Sequence, residues 1–133
     1  MINIKKTSNL FAWLLLIVCC TTLSCATGKP ELQLKTQQYD LGNLDREHRV
    51  QTILAPFTNK GGGELIIKDI KTDCDCTTVQ YPKEAAYKHS SGDEIKITVD
   101  LTPFFPGPIL KKVAIYTNGQ PQPVVITIKG HVI

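Results

Sequence analysis

Two cysteines with a single residue between them are the feature of this chain with the most chemistry to offer. Cys74 and Cys76 lie in the stretch Asp-Cys-Asp-Cys-Thr-Thr at residues 73–78. In a strand, residues two apart point to the same face with Cα atoms ~6.5–7 Å apart. Because a disulfide needs Cα atoms closer than about 6.8 Å, bonded sulfurs would require a bend at Asp75.

The pair has three possible uses, and the first two concern a disulfide. A structural disulfide suits an exported protein, although so small a loop constrains the unfolded chain only modestly. Alternatively, a tight disulfide exchanges readily with other thiols, which is the basis of a redox function. The neighbouring carboxylates of Asp73 and Asp75 disfavour the thiolate that such exchange needs.

Metal binding is the third use, since two thiolates suit Cu(I) or Zn. Further ligands would have to come from side chains elsewhere: His48, His89, His131, Asp73 or Asp75. None of these has a spacing typical of a metal site. We therefore expect no metal and no cofactor.

The first residues of the chain are typical of a targeting signal. Lys5 and Lys6 precede an unbroken apolar run over residues 10–20. This run is too short to span a bilayer, which takes about 20 residues, but it fits the apolar core of a signal peptide. Ser24 followed by Cys25 resembles a bacterial lipoprotein signal, in which the cysteine is lipidated and becomes the mature N-terminus. Ordinary cleavage near Ser24 without lipid is the alternative.

This interpretation divides the chain into a signal peptide (1–24), a tether (25–30) and one folded domain (31–133). It predicts a location in the bacterial cell envelope, periplasmic or on the outer surface, with the membrane contacted through a lipid on Cys25. Residues 25–133 hold 13 Lys and Arg against 12 Asp and Glu, a net charge of +1. Without a basic patch, we expect no nucleic-acid binding.

Alternation of apolar and polar residues predicts strands throughout this domain. Residues 94–101 are the clearest case, because apolar and polar residues alternate there with a period of two. Strands are also expected at residues 31–37, 39–44, 50–58, 65–71, 77–81, 109–117 and 124–132, of which 65–71 is apolar on both faces, as a strand in a sandwich core can be. Turns rich in Gly, Pro and Asn separate them. The prediction is an all-β fold, a single antiparallel immunoglobulin-like sandwich of about seven strands.

Specific side chains are expected to face the core of this sandwich. They are Ile53, Ala55, Phe57, Ile95, Ile97, Val99, Leu101, Val113, Ile115, Val124, Ile126, Ile128 and Val132. Pro56 cannot donate to a ladder, so its strand needs an edge or a bulge there. Residues 83–88 are compatible with one helical turn.

The segment 102–108 is a second candidate site. It holds three prolines and two phenylalanines, Phe104 and Phe105. Aromatic side chains on a proline-stiffened loop suit the binding of another protein, because little entropy is lost on docking. The alternative is that one phenylalanine caps the open end of the sandwich, since two large apolar side chains are seldom both left in water.

No pattern points to catalysis. Ser90 and Ser91 follow His89 directly, but neighbours in sequence do not form a catalytic triad. The glycines at 61–63 lie between two predicted strands, without the helix that a phosphate-binding loop requires. We expect the protein not to be an enzyme.

Several short motifs occur in a characteristic order: residues 39–42 (Tyr-Asp-Leu-Gly), 57–61 (Phe-Thr-Asn-Lys-Gly), 73–77 (Asp-Cys-Asp-Cys-Thr), 97–99, 107–118 and 126–130. This order resembles the bacterial family catalogued as domain of unknown function 1573, over residues 32–132. The family usually has Gly where this chain has Asp75, and an aromatic residue where it has Leu41.

The resemblance implies an immunoglobulin-like domain facing the envelope, similar to Hydin and major sperm protein-like domains, and no established activity. A structural or protein-interaction module is the function we expect. The alternative is a thiol–disulfide or metal-handling protein that uses Cys74 and Cys76.

Overall fold

The computed structural model describes residues 28–133. The predicted signal peptide and Cys25 lie outside the described residues. Nine strands follow in chain order: β1 (Leu32–Leu34), β2 (Gln38–Leu44), β3 (Val50–Asn59), β4 (Leu65–Thr72), β5 (Thr77–Gln80), β6 (Ala86–Tyr87), β7 (Gly92–Asp100), β8 (Gly107–Thr117) and β9 (Val124–Val132). Within residues 28–133 no helix is long and apolar enough to cross a membrane.

The strands form two sheets that pack face to face. One has four strands in the order β1-β3-β7-β5, and the other has five in the order β2-β9-β8-β4-β6. This arrangement confirms the predicted all-β sandwich. All pairs are antiparallel except β2 and β9, which run parallel. The helical turn expected at 83–88 is wrong, because Ala86 and Tyr87 pair instead with β4 as a short strand.

The core lies between the sheets and follows the alternation in the sequence. On β7, the side chains of Ile95, Ile97 and Val99 are fully buried, and so is that of Leu101, the residue directly after the strand. The other side chains expected to face inward are buried as well: Ile53, Ala55, Phe57, Val113, Ile115, Val124, Ile126, Ile128 and Val132. Each buried Val or Ile stabilises the fold by about 1.5–3 kcal/mol relative to exposure.

Pro56 sits in an inner strand, but at a place where its neighbour has ended. β3 lies between β1 and β7, and β1 pairs only with residues 57–59 of β3. The N–H of Lys35 donates to the carbonyl oxygen of Pro56 at 3.1 Å, so the amide side of Pro56 faces the end of β1. The edge that this proline was expected to need is therefore a local one.

A single buried side chain organises one end of the sandwich. Asn59 is fully buried, and its Nδ2 donates to the carbonyl oxygens of Gly63 at 2.7 Å and Tyr87 at 2.8 Å. Its Oδ1 accepts the N–H of Glu31 at 3.2 Å and of Gly61 at 2.9 Å. Asn59 thereby fastens the chain that leads into β1 to this end.

Gly61 is required at the same place. A Cβ on Gly61 would overlap the carbonyl oxygen of Lys29 and the N–H of Glu31. The chain from the predicted tether therefore enters the domain pressed against this loop. We call this end, formed by residues 28–31, 59–64, 88–91 and 117–123, the tether end.

Candidate functional site

The opposite end of the sandwich brings the two predicted sites together. We call it the loop end; it consists of the connections at residues 45–49, 73–76 and 101–106. Thr77 of β5 pairs with Val99 of β7, so the cysteine pair lies beside the residues where β7 ends. The Phe104–Phe105 segment begins there.

Two hydrogen bonds connect these segments. The N–H of Asp100 donates to the carbonyl oxygen of Cys76 at 2.8 Å. The N–H of Thr102 donates to Oδ1 of Asp100 at 2.9 Å. The turn at residues 73–76, which we call the cysteine turn, is therefore linked through one aspartate to the start of residues 102–108, which we call the phenylalanine loop.

The cysteine turn has the bend that the sequence requires. The Cα atoms of Cys74 and Cys76 lie 5.1 Å apart, within the range for a disulfide, and the structure pairs their sulfurs. The N–H of Thr77 donates to the carbonyl oxygen of Cys74 at 3.1 Å, which closes the turn around Asp75. The N–H of Cys76 also points at Sγ of Cys74, at 3.1 Å.

Acidic groups, and no histidine, surround this turn. Asp73 and Asp75 are exposed, and Oδ2 of Asp73 accepts the N–H of Lys112 at 2.9 Å. Residues 28–133 contain no group of three His, Cys, Asp or Glu side chains that could hold a metal ion. The three histidines considered as further ligands lie elsewhere: His48 beside Asp45, His89 at the tether end and His131 on β9.

The two phenylalanines have different environments. Phe104 is half-buried and packs against the core, with Nζ of Lys111 4.5 Å from the centre of its ring. Phe105 is 90% exposed, the most exposed large apolar side chain of the described residues. Phe104 thus covers the end of the core, while Phe105 is held in water.

The guanidinium group of Arg49 holds the phenylalanine loop by hydrogen bonds. Its Nη1 donates to the carbonyl oxygens of Thr102 at 3.3 Å and Phe104 at 3.1 Å, and its Nη2 donates to that of Ile133 at 3.4 Å. The sequence does not reveal the role of Arg49, because nothing distinguishes it from its charged neighbours in residues 45–49. Its hydrogen-bond partners lie 53 to 84 residues further along the chain, so no short sequence pattern reveals these contacts.

Two carboxylates at the loop end have lowered pKa values. The pKa of Asp100 lies below its ordinary value, first because of the hydrogen bond from the Thr102 side chain and then that from the Thr102 N–H. The pKa of Asp45 is lowered mainly by a hydrogen bond from the His48 side chain, with Nδ1 and Oδ1 2.7 Å apart. Each carboxylate is therefore favoured in its ionised form, which accepts the hydrogen bonds from the residues that follow it in its turn.

A surface hollow of about 630 Å³ lies beside Phe105. Its lining residues are Arg46, Arg49, Thr102, Pro103, Phe104, Phe105, Pro106 and Ile133. It combines two aromatic rings with two guanidinium groups and contains no carboxylate side chain. Aromatic and arginine side chains are the residue types enriched where proteins bind one another most tightly.

Known structures resemble this fold. A protein of unknown function from Porphyromonas gingivalis W83 is 23% identical, with a TM-score of 0.64 over 83% of this chain and 50% of that one. The chain thus spans half the length of that protein. PapD-like domain 7 of human CEP192 is 7% identical, with a TM-score of 0.60 over 79% of this chain and 87% of that one.

A third structure is WR4, a member of the MSP family from C. elegans, at 14% identity and a TM-score of 0.51 over 77% of this chain and 97% of that one. These likenesses show the fold alone. No curated protein matches the chain in sequence. The family model described as "Protein of unknown function (DUF1573)" matches residues 32–132, which confirms the family that the order of motifs predicts. The chain belongs to the DUF1573 family.

Proposed function

We propose that this chain is a lipid-anchored protein of the bacterial cell envelope whose domain binds another protein through the loop end, without catalysing a reaction. The observation that carries the proposal is Phe105, which is 90% exposed on a fixed loop. A large apolar side chain held in water beside a hollow is typical of an anchor that a partner buries.

The rigidity of the loop supports this function. Arg49 donates to two carbonyl oxygens of the loop, and Asp100 accepts the N–H of Thr102. Phe105 is thus presented in a fixed position before any partner arrives. Pre-organisation of this kind lowers the entropic cost of association.

The position of the predicted anchor also supports it. The tether enters at the end fastened by Asn59, and the ten residues of β3 separate that end from Val50, a length of about 33 Å. The tether at 25–30 reaches at most about 20 Å when fully extended. With Cys25 in a membrane, the loop end would project away from the lipid and toward other proteins.

In this account the Cys74–Cys76 pair is a structural disulfide that shapes the turn beside the loop. The competing function is thiol–disulfide exchange, which has one supporting observation: the N–H of Cys76 points at Sγ of Cys74, and would favour a thiolate there. The adjacent carboxylates of Asp73 and Asp75 oppose it.

A photo-crosslinking amino acid at position 105, in living cells, tests the proposal. The matched control is Leu110, which is 57% exposed on β8 and outside the segments that form the loop end. We expect one discrete adduct from position 105 and none from position 110. Equal adducts from both positions, or none from either, would overturn the proposed binding surface.

A further inference from the structure

The lower half of β3 is an open sheet edge inside the four-stranded sheet. On one side, β3 pairs with β7 over residues 50–58. On the other side, β1 pairs only with residues 57–59. Among residues 28–133, no strand pairs with residues 50–55 of β3 on the β1 side.

The backbone groups that point outward at this edge can be identified. The carbonyl oxygen of Arg49 accepts the N–H of Leu101, so the backbone groups of Arg49 point toward the side of β7. The carbonyl oxygen of Pro56 accepts the N–H of Lys35, so Pro56 points toward β1. Successive residues of a strand direct their N–H and C=O groups to opposite sides. Every second residue counted back from Pro56 therefore directs these groups away from β7, toward the open edge. These are Val50, Thr52 and Leu54.

The side chains at this edge lack the devices that prevent strand pairing. Sheet edges are commonly protected by charged side chains, proline or bulges. Val50 is 56% exposed and Leu54 is 51% exposed, and Thr52 between them is uncharged. Only Pro56 interrupts the edge, and it does so where β1 ends.

We infer that the edge of β3 from Val50 to Leu54 accepts an extended segment of a partner polypeptide as an added strand. Alternating N–H and C=O groups in one line are matched by another extended backbone, which would make up to about six hydrogen bonds here. Apolar side chains at alternate positions of that segment would lie beside Val50 and Leu54. This edge is separate from Phe105, and the inference stands without the proposed function.

Amide hydrogen exchange of the full chain carrying Cys25→Ala tests the geometry first. We expect the N–H groups of Gln51, Ile53 and Ala55, which face β7, to exchange slowly. The N–H groups of Thr52 and Leu54 should exchange more than about tenfold faster, because they lack a partner. Uniform slow exchange along β3 would overturn the open edge.

A fused donor strand tests acceptance. Ile133 lies close to Arg49, with Nη2 and the carbonyl oxygen 3.4 Å apart, so a short Gly/Ser linker after Ile133 can bring the segment Val-Thr-Val-Thr-Val to the edge. We expect exchange at Thr52 and Leu54 to slow by at least about tenfold. A donor with proline in place of each threonine should give no slowing, because proline offers no N–H to the carbonyl oxygens of the edge and the added strand is then not held there. Equal effects of the two donors would contradict strand addition.

A proline on the acceptor side gives the matching variant. Thr52→Pro removes an N–H that points away from β7, so no hydrogen bond to β7 is lost. Pro56, whose backbone points to the same side, shows that β3 tolerates proline at such a position. We expect this variant to stay folded and to lose donor protection at Leu54. If the variant unfolds, Leu54→Lys replaces it, and donor protection at Thr52 should then fall.

The same edge is then probed in cells. A photo-crosslinking amino acid at Thr52 should form an adduct that Leu54→Pro abolishes. At Thr98, whose hydroxyl lies 3.5 Å from that of Thr52 but whose strand is paired on both sides, it should form none. Equal adducts at the two positions would show that the partner contacts the face of the sheet, and would contradict strand addition at the edge. An adduct with a second copy of this chain would contradict a different polypeptide as the partner. Absence of any adduct at Thr52 would overturn the inference.

Discussion

The N–H of Asp100 donates to the carbonyl oxygen of Cys76 at 2.8 Å, so one backbone contact joins the cysteine turn to the strand that leads into the phenylalanine loop. Asp100 then accepts the N–H of Thr102 through its side chain. Two segments about which the sequence raised separate hypotheses are therefore parts of one surface. Asp100 is the residue that connects the two.

The first prediction concerns this turn. In the double variant Cys74→Ser, Cys76→Ser, we expect the domain to fold with a free energy of unfolding lower by ~1–3 kcal/mol, because the loop that the disulfide closes is small. Urea unfolding measures the change. A chain of residues 26–133 should contain no free thiol as isolated.

Redox titration of the same pair provides the counter-test. If the disulfide is structural, the pair should stay oxidised in a glutathione buffer poised at envelope potentials. Reversible reduction in that range without unfolding would favour the thiol–disulfide function over the structural one. Stoichiometric uptake of Cu(I) or Zn by the reduced domain, with proton release, would favour metal handling.

The second prediction concerns Arg49. Arg49→Met keeps the apolar stem but removes the donors to Thr102, Phe104 and Ile133. We expect the free energy of unfolding to fall by about 2 kcal/mol, because hydrogen bonds from a charged group are each worth ~1.5–3 kcal/mol and this side chain is partly exposed. Arg46→Met, at an exposed neighbour that makes no hydrogen bond within residues 28–133, is the control and should change little. Equal effects would show that Arg49 does not hold the loop.

The third prediction concerns pH. The pKa of Asp100 is lowered first by the side-chain hydrogen bond of Thr102. Since the folded pKa lies below the unfolded one, its contribution to stability is present above the ordinary value of 3.8 and is lost as the pH falls through the folded pKa. In Thr102→Val, an NMR titration should show the Asp100 midpoint rising toward 3.8. The Asp45 midpoint, which depends on His48, should not move; a shift of both would indicate a general change in the fold.

The fourth prediction concerns the core. Val113 is fully buried on β8, so Val113→Asp would bury an unpaired charge and should unfold the domain. Leu110→Asp places the same charge on the outer face of the same strand, where Leu110 is 57% exposed. Circular dichroism should report a β-rich spectrum for Leu110→Asp and its loss for Val113→Asp. A folded Val113→Asp domain would show that the inward face is wrong.

The sequence predicted what depends on neighbours in the chain and missed what depends on distant ones. The alternation at Ile95, Ile97 and Val99 is local, and it sufficed to assign the buried face of β7. The parallel pairing of β2 with β9 and the strand at Ala86–Tyr87 depend on tertiary contacts that no short pattern encodes. The same limit hid the role of Arg49.

The candidate site follows the same division. The cysteine pair and the two phenylalanines were found by residue type, and the bend at Asp75 follows from the spacing of the cysteines. That these features share one end of the sandwich depends on the register of β5 against β7. The Phe-x-Asn-x-Gly motif was visible, but only the four hydrogen bonds of Asn59 explain it.

The fifth prediction concerns the anchor, which stays a prediction. Labelling of cells with a fatty-acid analogue should mark the wild-type chain and leave Cys25→Ala unmarked, because a lipoprotein signal places the lipid on that cysteine. Equal labelling of the two would contradict lipidation at Cys25.

The most direct test of the central claim is the mass of the chain gently solubilised from cells, compared between the wild type and Phe105→Ser. The substitution removes only a side chain that lies in water, so stability should change by less than about 0.5 kcal/mol. We predict that the wild type migrates as a complex with a partner protein and that Phe105→Ser, equally stable, migrates alone. Identical complexes for both chains would contradict binding through the loop end.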